Sequence, residues 1–167
     1  MSIFIALGSN LPFNDMASDQ VIEAAIVRLT ARGVKIVARS RLWQSPSWPD
    51  PTAPAYVNAV ARVETQMHAD TLLDTLQSVE TEFGRVRSSR NAPRTLDLDI
   101  LDFAGRVETT ARLVLPHPRM AERAFVLLPL RDIAPTWVHP DSRISIDDLL
   151  AGIDAIDLSQ TRPIEES

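Results

Sequence analysis

The stretch RVRSSRNAPRTLDLDILDF, residues 85–103, joins an arginine-rich segment to an apolar run that carries two carboxylates. Residues 96–101 follow a Pro-Arg-Thr lead-in and are mostly β-compatible, which predicts a strand with successive side chains on opposite faces. Asp97 and Asp99 then share one face, their Cα atoms roughly 6.5 to 7 Å apart, while Leu96, Leu98 and Ile100 point to a core. Carboxylates converging at this spacing can hold one hard cation or a pair. Arg85, Arg87, Arg90 and Arg94 stand just upstream, in a chain whose formal net charge is −5. Carboxylates inside and guanidiniums outside form the charge pattern of a magnesium polyphosphate site, with metal on the aspartates and arginines on phosphate oxygens. A bare D-x-D matches many sequences by chance. The arginine segment and Pro93-Arg94-Thr95 are what single this one out.

A chain of 167 residues is expected to form a single domain over 1–167, large enough to bury a core without staples. It has no cysteine, so there is no disulfide framework, thiol nucleophile or cysteine-ligated zinc. The first eight residues have no positive region and only a short apolar run, unlike a signal peptide or a membrane span. A cytoplasmic location, no membrane partner and a monomeric state are the expectations. A pI near 5.1 argues against a general nucleic-acid partner. The basic residues are 16 arginines and Lys35, and the five glycines are scattered. A phosphate loop ending in Gly-Lys-Ser/Thr and a dinucleotide G-x-G-x-x-G are therefore both excluded.

Working outward from the central stretch, residues 70–83 carry Leu72, Leu73, Leu76, Val79 and Phe83 at helical spacing, ahead of Gly84. That helix delivers the chain into the arginine segment, with Gln77 and Glu80 one turn apart beside its apolar stripe. Ile3–Leu7 reads as a buried strand feeding a Gly8-Ser9-Asn10 turn, which fits a structural role or, through its glycine, a close approach of backbone to a ligand. Residues 18–32 read as a helix capped at Ser18-Asp19 and ending at Gly33. One strand is expected over 34–44, then a loop with four prolines in residues 45–54. Trp48, in its middle, fits either a lid aromatic or a plug for the core. Residues 55–66 alternate as a strand with one apolar side, placing Tyr56 and Asn58 together on the other. An aromatic face beside a carboxamide suits a flat heterocycle with amide-like edges.

After residue 103, Ala104-Gly105-Arg106 predicts a hairpin turn into a short edge strand. A helix is expected from Ala121 to about Leu130, with Arg123 and Phe125 near its start, and His117 just ahead of it could meet a phosphate. A closing turn and a short helix over 144–150 follow, and residues 158–167 are expected to fray. The order β-α-β-β-α-β with extra C-terminal elements matches an α+β, ferredoxin-like split βαβ plan, an antiparallel sheet with two helices on one face.

Five segments together resemble the 6-hydroxymethyl-7,8-dihydropterin pyrophosphokinase family. They are residues 6–11 (ALGSNL), Ser45-Pro46 leading to Tyr56-Val57-Asn58-Ala59, Phe83 through Arg87, Pro93 through Ile100, and Leu115 through Met120 with Arg123 and Phe125. The resemblance spans about residues 3–140. It implies transfer of the terminal diphosphate of ATP to the pterin hydroxymethyl group, releasing AMP, in folate biosynthesis, with two Mg2+ ions and ATP as co-substrate. Asp97 and Asp99 match the metal ligands. Arg85, Arg87, Arg90, Arg94, Arg112, His117 and Arg123 fall where the family contacts ATP, and Gln77 and Glu80 where it lines the nucleotide side. Ser45, Pro46, Tyr56, Asn58 and Phe125 fall in the pterin pocket, with Tyr56 and Phe125 on either side of the ring.

Positioning by two metals and several arginines can carry most of such a reaction, because charge develops on phosphoryl oxygens. No histidine or lysine is placed as an obvious general base, which leaves an aspartate or a metal-acidified hydroxyl. Some members carry Trp-Gly before Pro-Arg-Thr, where this chain has Asn91-Ala92 and a loop one residue shorter. Two other functions fit the bare pattern: a non-catalytic ferredoxin-like nucleotide-binding module, and another magnesium-dependent nucleotidyl or phosphoryl transferase.

Overall fold

The computed structural model describes residues 2–47, 52–85 and 94–164. Its main sheet is built around β1 (Ile3–Ser9), an apolar strand buried along nearly its whole length. Helix α1 (Ser18–Ala31), strands β2 (Lys35–Arg39), β3 (Trp43–Ser45) and β4 (Tyr56–Glu64), helix α2 (Ala69–Glu82) and strand β5 (Asp97–Phe103) follow. β1 pairs antiparallel with β4 on one side and β5 on the other. β2 and β3 both pair antiparallel with β4. This is the expected α+β ferredoxin-like order.

Where one strand was expected over 34–44, there are two, and Ser40 explains the break. Its N–H donates to the Val60 carbonyl at 2.8 Å, but Val60 N–H donates to the Ser40 hydroxyl at 3.0 Å. A side-chain oxygen thus replaces the backbone carbonyl as ladder acceptor, and the main chain turns away. α1 also starts differently. Ala17 is its N-cap, and the Gln20 side chain accepts the Ala17 N–H at 2.9 Å. Gly33, at φ +88°, ends the helix as expected.

Period-two alternation sorts the strands between two cores. Ile3, Ile5, Leu7, Ala59, Ala61, Val63, Leu98 and Ile100 face α1 and α2, meeting Val21, Ile22, Ala25, Leu29, Leu72, Leu76 and Val79 at helical spacing. Full burial of one such aliphatic side chain contributes about 1.5–3 kcal/mol. Arg28 and Arg32 both pair with Glu82, tying α1 to α2.

Two helices were expected on one face and the later elements were assigned to neither; they cover the second face. After a single 3-10 turn at Met120–Glu122, α3 (Ala124–Ile133) begins three residues later than expected. With α4 (Ile146–Ala151) it buries Phe4, Trp43, Val60 and Leu101 against Met120, Leu127, Leu130, Trp137 and Ile146. β4 is therefore covered on both sides, with Val60 fully buried on the α3 side. A register shift between β1 and β5 opposite Phe4/Ile5 puts Asp102 beside Trp137, whose Nε1–H donates to its carboxylate at 2.9 Å.

The segment after β5 also departs from expectation. Ala104 and Gly105 make the turn with positive φ, but β6 (Glu108–Thr109) pairs with β7 (Val114–Leu115) in a separate ribbon and does not extend the main sheet. The outer edge of β5 is already occupied. Glu80 accepts the Leu98 N–H, and His117 N–H donates to the Leu101 carbonyl.

Residues 158–164 do not fray. They finish α5 (Ala155–Gln160) and form β8 (Arg162–Pro163), which pairs with β3. Ile164 N–H donates to the Leu42 carbonyl at 2.8 Å, and Thr161 is buried. Among the described residues no helix is long and apolar enough to cross a membrane.

Candidate active site

Register places Asp97, Gly8, Asn58 and Trp43 in one row across β5, β1, β4 and β3, with Asp99, Ala6 and Val60 in the row two residues further along. All lie on the α3 side of the sheet. A Cβ on Gly8 would stand 3.5 Å from Asn58 Oδ1 and 4.0 Å from Tyr56 Cδ1. The floor between Asp97 and Asn58 is thus bare backbone, as expected for a surface a flat ligand approaches.

Asp97 has a guanidinium on each oxygen. Arg85 Nη1 donates to Oδ1 at 2.8 Å, and Arg94 Nη1 donates to Oδ2 at 3.0 Å. Arg85 is shared with Glu80, whose side chain is 2% exposed. Glu80 Oε2 also accepts the Leu98 N–H at 2.8 Å. A carboxylate from α2 therefore pins the backbone between the two aspartates and holds the arginine that neutralises one of them. Among the described residues no group donates a hydrogen bond to the Asp99 carboxylate. Burial, followed by the charges of Asp97 and Glu80, pushes its carboxyl up to about 7.

This donor set fits Mg2+. Among the described residues no third His, Cys, Asp or Glu joins the pair as a ligand group. Mg2+ is commonly held by one or two carboxylates, with substrate phosphates and water filling the octahedron. Among the described residues the Asp99 carboxylate beside Asp97 has acceptor oxygens with no donor, which a cation can take up.

At the outer edge of β5, His117 is fixed by its backbone bond to Leu101 and accepts the Arg119 N–H on Nδ1 at 3.2 Å. Burial, then the charge of Arg123, lowers its pKa to about 4. At neutral pH the ring is uncharged, and Nδ1 as acceptor assigns the proton to Nε2. Arg123 is the N-cap residue of α3, with its guanidinium 5.4 Å from the Phe125 ring centroid. Its charge acts on both Asp99 and Asp97. Burial raises the Tyr56 pKa, and Arg94, Asp97 and Arg85 are the charged groups acting on it. Asn58 Nδ2 donates to the Ser45 hydroxyl at 2.8 Å, so Oδ1 is turned to the Gly8 floor.

Residues 4–135 match the family model of 7,8-dihydro-6-hydroxymethylpterin-pyrophosphokinase. The chain belongs to this family. It is 43% identical over 149 residues to the 2-amino-4-hydroxy-6-hydroxymethyldihydropteridine pyrophosphokinase of Pseudomonas aeruginosa, covering 89% of this chain and 90% of that one. The same-named protein of Synechocystis is 36% identical over 151 residues, covering 90% and 75%. A folic acid synthesis protein of Pneumocystis carinii is 39% identical over 145 residues, 87% of this chain but only 19% of that longer protein. Among solved structures, wild-type Plasmodium falciparum HPPK-DHPS superposes with a TM-score of 0.67 at 14% identity, covering 90% of this chain and 44% of that one. At that identity the likeness speaks to the fold. Pyrophosphokinase membership makes the chain an ATP-dependent pyrophosphoryl transferase of folate biosynthesis, which sets aside the non-catalytic module.

For a pyrophosphokinase the sequence-predicted residues fall into three groups. Arg85, Arg94, Asp97, Asp99, Glu80, His117, Arg123 and Tyr56 are linked by the contacts and fields just described. Ser45 and Asn58 continue the row across the sheet, Phe125 lies under Arg123, and Pro46 is exposed just beyond β3. Gln77 and Arg112 stand on the α2 flank: Gln77 is half-buried one turn before Glu80, and Arg112 pairs with Asp74. Arg87, Arg90, Trp48 and Asn91-Ala92 lie outside the described residues. Sequence reading passed over Asn10, which it used only as part of a motif. Asn10 is 1% exposed, and a polar residue directly after an apolar strand was its one local signal.

Proposed function

We propose that the chain transfers the terminal diphosphate of ATP to the hydroxymethyl oxygen of 6-hydroxymethyl-7,8-dihydropterin at this site, with Asp97 and Asp99 holding two magnesium ions. The hydroxymethyl oxygen releases its proton to solvent as it bonds to the β-phosphorus, the bond from that phosphorus to the α,β-bridging oxygen breaks, and AMP leaves with the electron pair. Magnesium, when bound, neutralises the polyphosphate and polarises the phosphoryl group under attack.

The protein's own groups supply position and charge. Arg85 and Arg94 exchange the Asp97 carboxylate for phosphate oxygens, which are equally good acceptors for a guanidinium. Arg123 adds charge from the start of α3, and neutral His117 donates from Nε2. Arg87, Arg90, Arg112 and Gln77 complete the nucleotide side, with Glu80 acting through Arg85. Tyr56 and Phe125 flank the pterin ring, while Asn58, Ser45 and Pro46 meet its edge. The observation that carries this reading is Asp97 gripped by two arginines next to an Asp99 carboxylate that accepts no hydrogen bond among the described residues.

We take 1–167 as one catalytic domain acting as a monomer in the cytoplasm, where ATP is supplied. Sedimentation at a mass other than 18.5 kDa would contradict the monomer. The assignment is tested with Asp97→Ala and Asp99→Ala. Each is expected to lower kcat by at least about 100-fold in a folded protein. Wild-type turnover in either variant would sink it.

A further inference from the structure

Asn10 directly follows β1, and its carboxamide is buried between two segments far away in sequence. Its backbone N–H donates to the Arg94 carbonyl at 3.0 Å, and its Oδ1 accepts the Arg94 N–H at 2.7 Å. Main chain and side chain together thus imitate a reciprocal antiparallel rung around Arg94. The other end of the carboxamide, Nδ2, donates to the Pro54 carbonyl at 3.4 Å. Arg94 stands three residues before Asp97, which its guanidinium holds. Pro54 stands two residues before Tyr56, and Arg94 is among the charged groups acting on that tyrosine.

We propose that Asn10 is a positioning residue that couples the two substrate subsites, holding the backbone of the phosphate-side Arg94 and the pterin-side segment at Pro54 on one carboxamide. The inference rests on the subsite assignment above. A substrate that fixes Arg94 fixes Pro54 through the same side chain, so binding of one substrate lowers the ordering cost of the other. The chemistry demands an acceptor and a donor on one short side chain. Among side chains of this length only asparagine offers a carbonyl and an amino group back to back. Aspartate keeps the acceptor for the Arg94 N–H but turns an oxygen toward the Pro54 carbonyl, and alanine keeps neither contact.

The test measures pterin affinity with and without magnesium and α,β-methylene-ATP, an analogue that cannot release AMP. In the wild-type protein the nucleotide is expected to tighten pterin binding by about 10-fold, and by linkage the pterin tightens nucleotide binding equally. In Asn10→Ala and Asn10→Asp the factor is expected to fall below about twofold. No tightening in wild type, or full tightening in both folded variants, overturns the proposal.

Two controls keep the subsite assignment separate. Arg94→Ala should weaken nucleotide binding and Tyr56→Ala pterin binding. If either fails to do so the assignment is wrong, whereas normal controls beside an unchanged coupling factor in the Asn10 variants condemn the role of Asn10 alone. Should neither Asn10 variant fold, hydrogen exchange on wild-type protein decides. Pterin alone is expected to slow exchange of the Arg94 amide, and an unchanged rate overturns the coupling.

Discussion

Arg85 lies between two carboxylates of different character: Asp97, about a quarter exposed, and Glu80, almost fully buried. Such an arginine can release the outer carboxylate to a phosphate while the inner one keeps its place, because Glu80 is also anchored on the Leu98 N–H. Glu80→Gln retains an acceptor for that N–H and removes the charge opposite Arg85. The variant is expected to lose about 1.5–3 kcal/mol of stability, the range for a hydrogen bond to a charged group. A urea midpoint equal to wild type would contradict this. The helical pattern of residues 70–83 put Glu80 beside the apolar stripe, a position equally suited to solvent. What buries it is the outer edge of β5, and local spacing carries no record of that edge. The same holds for Asn10, whose partner lies 84 residues away.

At the scale of elements, the covered second face brings Arg123 and Phe125 to the site, since both lie at the start of α3. The run Phe125–Leu130 was legible as a helix. Which surface it would cover was not, because Tyr56, Asn58 and Arg62 made that side of β4 read as polar around a single Val60. Asp132 anchors α3 to the bend between β2 and β3, accepting from Arg41 N–H at 3.2 Å, from Arg41 Nη2 at 3.0 Å and from Trp43 Nε1 at 2.9 Å. Burial alone would raise its carboxyl pKa, but the hydrogen bonds from Arg41 and Trp43 outweigh it and hold the group below the usual range. A depressed carboxylate stabilises the fold above its unfolded pKa of about 3.9, and that contribution is lost as pH falls through the folded value. Asp132→Asn is expected to unfold at lower denaturant concentration at pH 7, with the gap to wild type narrowing as the pH drops below about 4. A gap that stays constant with pH would show that the ionised carboxylate is not what stabilises this joint.

For the molecule as a whole, the strand and helix order and the D-x-D at the head of β5 were legible because both are written in short-range periodicity. The arginines and the Tyr56/Asn58 pair were legible too, but their meeting in one site needed the sheet register, which joins residues 8, 58 and 97 across the chain. The result is a site shared between two halves of one sheet: carboxylates and arginines at β5, an aromatic and a carboxamide at β4, and bare glycine backbone between. Such a layout serves a reaction that brings a polyphosphate and a flat heterocycle together. The decisive measurement incubates the protein with magnesium, ATP and 6-hydroxymethyl-7,8-dihydropterin and resolves the products. AMP should accumulate one-for-one with the pterin diphosphate, and only when the pterin is present. ADP or free pyrophosphate in its place would contradict diphosphate transfer at this site.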